Sequence, residues 1–401
     1  MRYRALIASL IAGVVPIATH AQVPGPPRPG PGLGQPALVS PDILPDHRVI
    51  FRIRAPQASA VTLAGDVGEG LPASAPPRAA TTGATGFIPP PPAVVLEKGP
   101  NGIWTGTTAA PVRPGAYRYA FSVDGVRAVD QSNMRTSPSQ GQVQSLLVVP
   151  GDFSEERPVP HGALSEIAYE PASYGPGVER RLYVYTPPGY EKSTASYPVL
   201  YLIHGGGDTA ESWATVGRAN FIMDNLLAEK KAVPFIIVMI SGWTPRGPQS
   251  ETIDAAKDPL NAELINDIIP MIEHRYRVKG GKANRALSGL SMGGFQTLTL
   301  GIKNLDAFAY VMPMSTGWFT DADRAAFVAA NGPAIHRADK ELALFRWGWG
   351  DTDIAKPNGL ASMDALRVAG MRGIETIEVP GGHQWTTWRQ LLADYAPRLF
   401  R

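Results

Sequence analysis

The sequence predicts a chain in two parts, an antiparallel β-sandwich followed by a mostly parallel β-sheet flanked by helices. Three observations carry this. Over residues 37–150, short alternating runs are punctuated by Pro, Gly and Asp-Gly. From Tyr197 onward, continuous apolar runs alternate with stretches of helical spacing, the pattern of a sheet buried on both faces. Between one such run and one such helix stands Gly289-Leu290-Ser291-Met292-Gly293. With 401 residues, 44% hydrophobic and 18% charged, the chain is long enough for two domains with sizeable cores. A net charge of +2 argues against nucleic-acid or polyanion partners. The absence of cysteine excludes disulfides, thiolate metal sites and cysteine nucleophiles.

Residues 1–21 read as a secretory signal. Arg2 and Arg4 form a positive start, Ala5 to Ile17 is an apolar run too short to span a bilayer, and Thr19-His20-Ala21 is a small-x-small cleavage site. Export follows, with no membrane insertion after cleavage. Residues 22–36, rich in Pro and Gly, read as a linker. Strands are expected at His47–Arg54, Ala60–Ala64, Ile103–Thr107, Gly115–Val123, Val126–Val129 and Val143–Val149, with a hairpin at Asp124-Gly125. Gly68–Pro92, rich in Ala, Pro, Gly and Thr, is expected to be a long mobile loop. Trp104, Tyr117 and Tyr119 have the faces to stack on sugar rings, but sandwich packing is the preferred reading.

In the second part, Glu179–Thr186 alternates as an edge strand does. Tyr197–His204, Phe235–Ile240, Arg285–Leu290, Ala309–Met314, Leu342–Trp347 and Ile374–Val379 read as further strands. Helices are expected at Ala219–Lys231, Leu260–Tyr276, after Met292, at Ala322–Ala330 and at Ser362–Ala369. The pentapeptide at Gly289–Gly293 therefore joins a strand to a helix. G-x-S-x-G in that setting is the nucleophile elbow of the α/β-hydrolase fold. Its glycines avoid collision with the strand and helix, and the helix N-terminus favours developing negative charge beside the serine.

A serine hydroxyl is a poor nucleophile alone; it needs an imidazole base, and the base needs an orienting carboxylate. In this fold the chain order is Ser, acid, His. Two histidines follow Ser291. His336 has no strand before it, whereas His383 stands at the C-terminal end of a predicted strand, where ligand chemistry in open α/β sheets occurs. His383 is therefore the expected base. Asp351 and Asp353 both follow the preceding strand, and residue chemistry alone does not choose between them. The oxyanion donors expected are the N–H groups of Met292 and Gly206, the latter in His204-Gly205-Gly206-Gly207. His204 is expected to prop that loop. Trp213, Trp243, Gln384 and Trp385 are expected to contact substrate, as indoles at strand ends can line a cleft. Arg218 and Arg246 read as solvated loop residues.

Phe51–Pro56, Val61–Asp66, Gly102–Trp104 and Tyr117–Gly125 resemble the early-set, immunoglobulin-like domains that precede many secreted esterases, and family 48 carbohydrate-binding modules. The glycine loop at His204, Trp213, the run Arg218–Glu229, the run Arg285–Thr297 and Gly382-His383-Gln384-Trp385 look like carbohydrate esterase family one, which includes feruloyl and acetylxylan esterases. That resemblance implies Ser291 as nucleophile, His383 as base, and Gly206 and Met292 as oxyanion donors. Its acid lies about thirty residues before the histidine, and 383 − 353 = 30, which implies Asp353. One departure is Ser241-Gly242-Trp243-Thr244, where members of the family often carry an Asp-Gly turn.

The combined expectation is an immunoglobulin-like β-sandwich at residues 37–150 and an α/β-hydrolase esterase domain at 151–401, acting on an esterified polysaccharide or oligosaccharide such as feruloylated or acetylated xylan. No metal or cofactor is called for, since no H-E-x-x-H, P-loop or dinucleotide context is present. The alternatives are an enterochelin-type siderophore esterase, an acyltransferase using the same acyl-enzyme, and a non-catalytic polysaccharide-binding protein on a hydrolase scaffold.

Overall fold

The computed structural model describes residues 38–72, 94–245 and 258–401. The expected signal, linker and Arg246, and most of the loop expected at Gly68–Pro92, lie outside those residues.

The first part forms two antiparallel sheets. One contains β1 (Asp42–Ile43), β2 (Val49–Arg54), β4 (Glu97–Lys98) and β5 (Ile103–Thr107), in the order β1-β2-β5-β4. The other contains β3 (Val61–Gly65), β6 (Gly115–Val123), β8 (Thr136–Ser139) and β9 (Gln142–Val149), in the order β3-β6-β9-β8. β7 (Val126–Ala128) pairs with β6 across the Asp124-Gly125 turn. Both central residues of that turn have positive φ, which suits a tight hairpin. Alternate residues of the strands meet in one core: Val49, Phe51, Leu63, Trp104, Tyr117, Tyr119, Phe121 and Leu147. Trp104, Tyr117 and Tyr119 are thus packed inside, in accord with the preferred reading. The start of the region expected to be a mobile loop is a 3₁₀ turn, Asp66–Gly70, in which Gly70 sits so close to Val112 and Tyr117 that a Cβ would collide.

β6 departs from alternation: seven of its nine residues are buried. The reason is that its second face is also covered. Ala116 of β6 and Leu146 of β9 belong to the same apolar cluster as Leu200, Trp213, Trp385 and Trp388 of the second part. Val39–Arg401 accordingly forms one compact unit.

The second part is an eight-stranded sheet. Its strands are β10 (Ala163–Tyr169), β11 (Arg180–Thr186), β12 (Val199–Ile203), β13 (Ile236–Ile240), β14 (Arg285–Leu290), β15 (Tyr310–Met314), β16 (Leu344–Gly350) and β17 (Ile374–Val379), ordered β10-β11-β13-β12-β14-β15-β16-β17. From β13 to β17 every neighbouring pair is parallel, and β10 and β11 close one edge antiparallel. All residues of β12, β13 and β15 are buried, as their unbroken apolar sequences require. β10, largely exposed and interrupted by Ser165-Glu166, carries no such signal and was not anticipated.

The helices are α1 (Ala219–Ala228), α2 (Pro259–Ala262), α3 (Ile269–Arg275), α4 (Met292–Lys303), α5 (Asp321–Glu341), α6 (Lys356–Val368) and α7 (Trp385–Tyr395). α2 and α3 are joined by a wide π turn, Glu263–Ile268, just before Pro270, a residue with no N–H to continue the ordinary ladder. α5 is longer than expected, since it continues past Gly332-Pro333 with a local irregularity at Asn331. α7 was not anticipated and begins two residues after His383.

Candidate active site

Ser291 stands between β14 and α4 with φ 52° and ψ −114°, a conformation that L-residues seldom adopt. The surroundings leave it little alternative. A Cβ on Gly289 would lie 2.5 Å from Gly293 O, one on Gly293 2.4 Å from His204 O, and one on Gly294 2.5 Å from Met314 O. These glycines let strand, helix and neighbouring loops close around the serine. Ser291 N–H donates to Met314 O at 3.0 Å and Gly293 N–H to His204 O at 3.1 Å, which ties the turn to β15 and to the end of β12.

Three strand ends bring the polar groups together. His383, after β17, places Nε2 2.9 Å from Ser291 Oγ. Its Nδ1 lies 2.9 Å from Asp353 Oδ1, after β16. Burial acts to raise the Asp353 pKa, but the hydrogen bond and charge of His383, with contributions from Ser315 and the Ala355 N–H, outweigh it and hold the carboxyl below its ordinary value. Asp351 takes a different part, accepting from Gly381 N–H at 2.9 Å and tying the two strand-end turns together. His336 lies within α5.

Met292 is the first residue of α4, so its N–H has no partner within the helix. It and Gly206 both line the cavity in front of Ser291. A Cβ on Gly205 would meet Leu290 Cδ1 at 2.5 Å, so glycine lets this loop approach the elbow without displacing that side chain. His204 props the loop as expected. Its Nδ1 donates to Gly205 O at 2.7 Å and its Nε2 accepts from Gly242 N–H at 3.1 Å. Complete burial lowers its pKa to about 4, so the ring is neutral. In the departure at Ser241–Thr244, Gly242 serves His204 through its N–H and Gln296 through its carbonyl.

The expected tryptophan contacts need correction. Trp213 is wholly buried, with Nε1 donating to Ile203 O at 3.1 Å. Trp385 is buried edge-to-face between Trp213 and Trp388, and Trp388 stands edge-to-face behind His383 at 5.2 Å. This row of indoles fixes the histidine from behind instead of lining the cleft. Trp388 Nε1 also donates to Ser315 Oγ at 2.9 Å. Trp243 Nε1 is engaged by Asp208 O at 3.2 Å, and Gln384 Nε2 donates to Thr386 Oγ1 at 2.5 Å. Neither lines the Ser291 cavity. Arg218, expected in solvent, is buried, donating to Ser154 O with its guanidinium 4.1 Å from the Phe221 ring centroid.

The cavity measures about 310 Å³ and is walled by Phe295, Phe319, Ile354 and Asn358 in addition to the groups above. Phe319 stacks on Phe295 at 6.0 Å between centroids. The rule that ligands bind beyond the carboxyl ends of parallel strands points to Ser315–Phe319 after β15 and to Ile354 after β16, and is the signal that could have found them. Chemically, the Ser291–His383–Asp353 row can pass a proton from hydroxyl to imidazole beside a cavity that Gly206 and Met292 line. Among the described residues, no group of His, Asp and Glu side chains could hold a metal ion.

A mostly parallel sheet that carries an elbow serine after β14 and a histidine after β17 defines an α/β-hydrolase fold, and comparison with known proteins agrees. The family model described as putative esterase matches residues 173–399. The chain belongs to this esterase family, in accord with the resemblance to carbohydrate esterase family one. It is 29% identical over 377 residues to an endo-1,4-beta-xylanase/feruloyl esterase of Xylanibacter ruminicola, covering 92% of this chain and 47% of that one. The chain thus spans about half the length of that curated relative. A CE1 ferulic acid esterase from Anaeromyces mucronatus shares the fold, with TM-score 0.51 and 24% identity over 63% of this chain and 96% of that one. The enterobactin esterase of Shigella flexneri does too, with TM-score 0.55 and 15% identity over 88% of this chain and 93% of that one. Among the described residues, no helix is long and apolar enough to cross a membrane.

Proposed function

We propose that the chain is an exported serine esterase that releases feruloyl or acetyl groups from a plant polysaccharide such as xylan. The observation that carries the mechanism is the pair of 2.9 Å contacts His383 makes with Ser291 Oγ and Asp353 Oδ1. Ser291 Oγ attacks the ester carbonyl carbon as its proton passes to His383 Nε2. The amides of Gly206 and Met292 receive the oxyanion. Collapse breaks the bond to the alcohol, which leaves with the proton from His383. Water then attacks the acyl-enzyme carbonyl, giving a proton to the same nitrogen; the bond from Ser291 Oγ to the acyl carbon breaks, Oγ takes that proton back from His383, and the acid departs. Asp353 holds the imidazole tautomer throughout. The polysaccharide substrate is supported by the xylanase/feruloyl esterase relative, and an aromatic acyl group by the wall of Phe295, Phe319 and Ile354. We infer likewise that residues 37–150 form an early-set, immunoglobulin-like module, that 151–401 form the esterase domain, and that residues 1–21 direct export.

Two experiments test this. Ser291→Ala is expected to lower kcat by at least about 10⁴-fold on a short nitrophenyl ester; undiminished turnover refutes the mechanism. A panel of methyl ferulate, acetylated xylan, the nitrophenyl ester and a triscatecholate ester tests the substrate. Preference for the first two supports the proposal, whereas preference for the triscatecholate ester selects the siderophore-esterase alternative.

A further inference from the structure

Gly205–Gly207 have no side chains with which to hold their own place, and glycine loses more conformational freedom on ordering than any other residue. The loop that carries Gly206 must therefore be held by its neighbours. From the eight-stranded sheet come His204 Nδ1, donating to Gly205 O at 2.7 Å, and Trp243 Nε1, donating to Asp208 O at 3.2 Å. The other holds come from the N-terminal sheets. Gln140, in the turn between β8 and β9, donates its backbone N–H to Gly207 O at 3.0 Å. Arg118 of β6 places Nη1 2.6 Å from Asp208 Oδ1, with side chains only 5% and 8% exposed. Its remaining donors reach Ser137 Oγ at 2.9 Å, Pro138 O at 2.9 Å and Ser212 Oγ at 2.8 Å, which fixes the plane of the guanidinium. Its Cζ also lies 5.7 Å from the ring centroid of Trp385, in the indole row behind His383.

We propose that Arg118 is a positioning residue for ester hydrolysis: from the N-terminal sheets, and through Asp208, it sets where the Gly206 amide stands. The proposal rests on the reading of Ser291 as nucleophile and Gly206 as oxyanion donor. It makes the β-sandwich part of the catalytic apparatus. A donor aimed at an oxyanion acts on the transition state, so its displacement weakens transition-state binding more than ground-state binding. A planar fork with four acceptors is not reproduced by a lysine ammonium.

The test uses the full chain with para-nitrophenyl acetate as substrate, trifluoroacetophenone as a ketone that forms a tetrahedral adduct on the serine, and acetate as a ground-state ligand. Arg118→Met and Asp208→Asn are the variants; the second keeps the shape of its side chain and serves where the first folds poorly. Phe51→Leu, in the sandwich core away from the loop, is the stability control. Both loop variants are expected to lower kcat/KM by about 10- to 100-fold and to raise the trifluoroacetophenone Ki in parallel, with acetate inhibition changed by less than about threefold. Phe51→Leu should lower Tm and leave these ratios alone. Loop variants that lower Tm like Phe51→Leu, yet keep kcat/KM and the ketone Ki within about twofold of the parent, would show Arg118 to be a strut and overturn the proposal. Ser291→Ala separates the two claims: if it retains activity, the reading of the site fails; if it is inactive while the Arg118 variants are not, only this inference fails.

Discussion

On one side of the Ser291 cavity, His204 and Asp353 are buried and hydrogen-bonded, and a Cβ on Gly289, Gly293 or Gly294 would run into a backbone carbonyl. On the other, Phe319 is 62% exposed, with its ring stacked on Phe295, and Ile354 is 72% exposed. The first wall is fixed because a donor or carboxylate misplaced by a fraction of an ångström loses much of its effect. The second tolerates movement because apolar contact is non-directional. The contrast teaches that chemistry and acyl selection are separately built, and substitutions on the two walls should separate accordingly.

The largest effect is expected from Asp353→Asn, which keeps the shape but not the tautomer control of His383. A fall in kcat of about 10³- to 10⁴-fold is expected in steady-state assays. A change below tenfold would break the assignment of this wall. Next comes His204. Its pKa is lowered to about 4 in the folded chain from an ordinary 6.5, so below pH 6.5 the unfolded chain takes up a proton that the folded chain refuses. Stability should therefore fall as pH drops from about 6.5 toward 4, by about 2 kcal/mol at pH 5. His204→Gln, which cannot titrate, should flatten that part of the urea-unfolding profile, and an unchanged slope would place the titration elsewhere.

Phe319→Ala sharpens the comparison from the other wall. It should raise KM for methyl ferulate about tenfold and leave kcat for a short nitrophenyl ester within about twofold. A large loss of kcat on the short ester would mean that the walls are not separable. The smallest change is expected from Asp351→Asn, because the amide oxygen can still accept from Gly381 N–H. Activity within about threefold of the parent is expected, and a loss matching Asp353→Asn would reopen the choice of acid.

What the sequence determined by itself is what neighbouring residues impose on one another. The apolar runs of β12 to β15 specify a sheet buried on both faces. The glycines at Gly289 and Gly293 specify a tight strand-to-helix turn, and the placement of Ser291, an aspartate and His383 at the ends of β14, β16 and β17 follows from chain order. The glycine loop after β12 was legible for the same reason, as was His204 as its prop. What only the tertiary structure decided is the direction in which side chains at those strand ends face. The two-residue choice between Asp351 and Asp353 depends on how the turn after β16 docks against Gly381 of the next strand end, a contact 30 residues away. The indoles face inward because Trp385 and Trp388 of α7 pack on one another and on Trp213, which lies more than 170 residues earlier in the chain, while Phe319 is left to wall the cavity. Arg118 lies 90 residues before Asp208 and reads as one more polar strand residue until β6 is covered on both faces. Burial and orientation at each of these positions depend on partners distant in the chain, and local pattern carries no record of them.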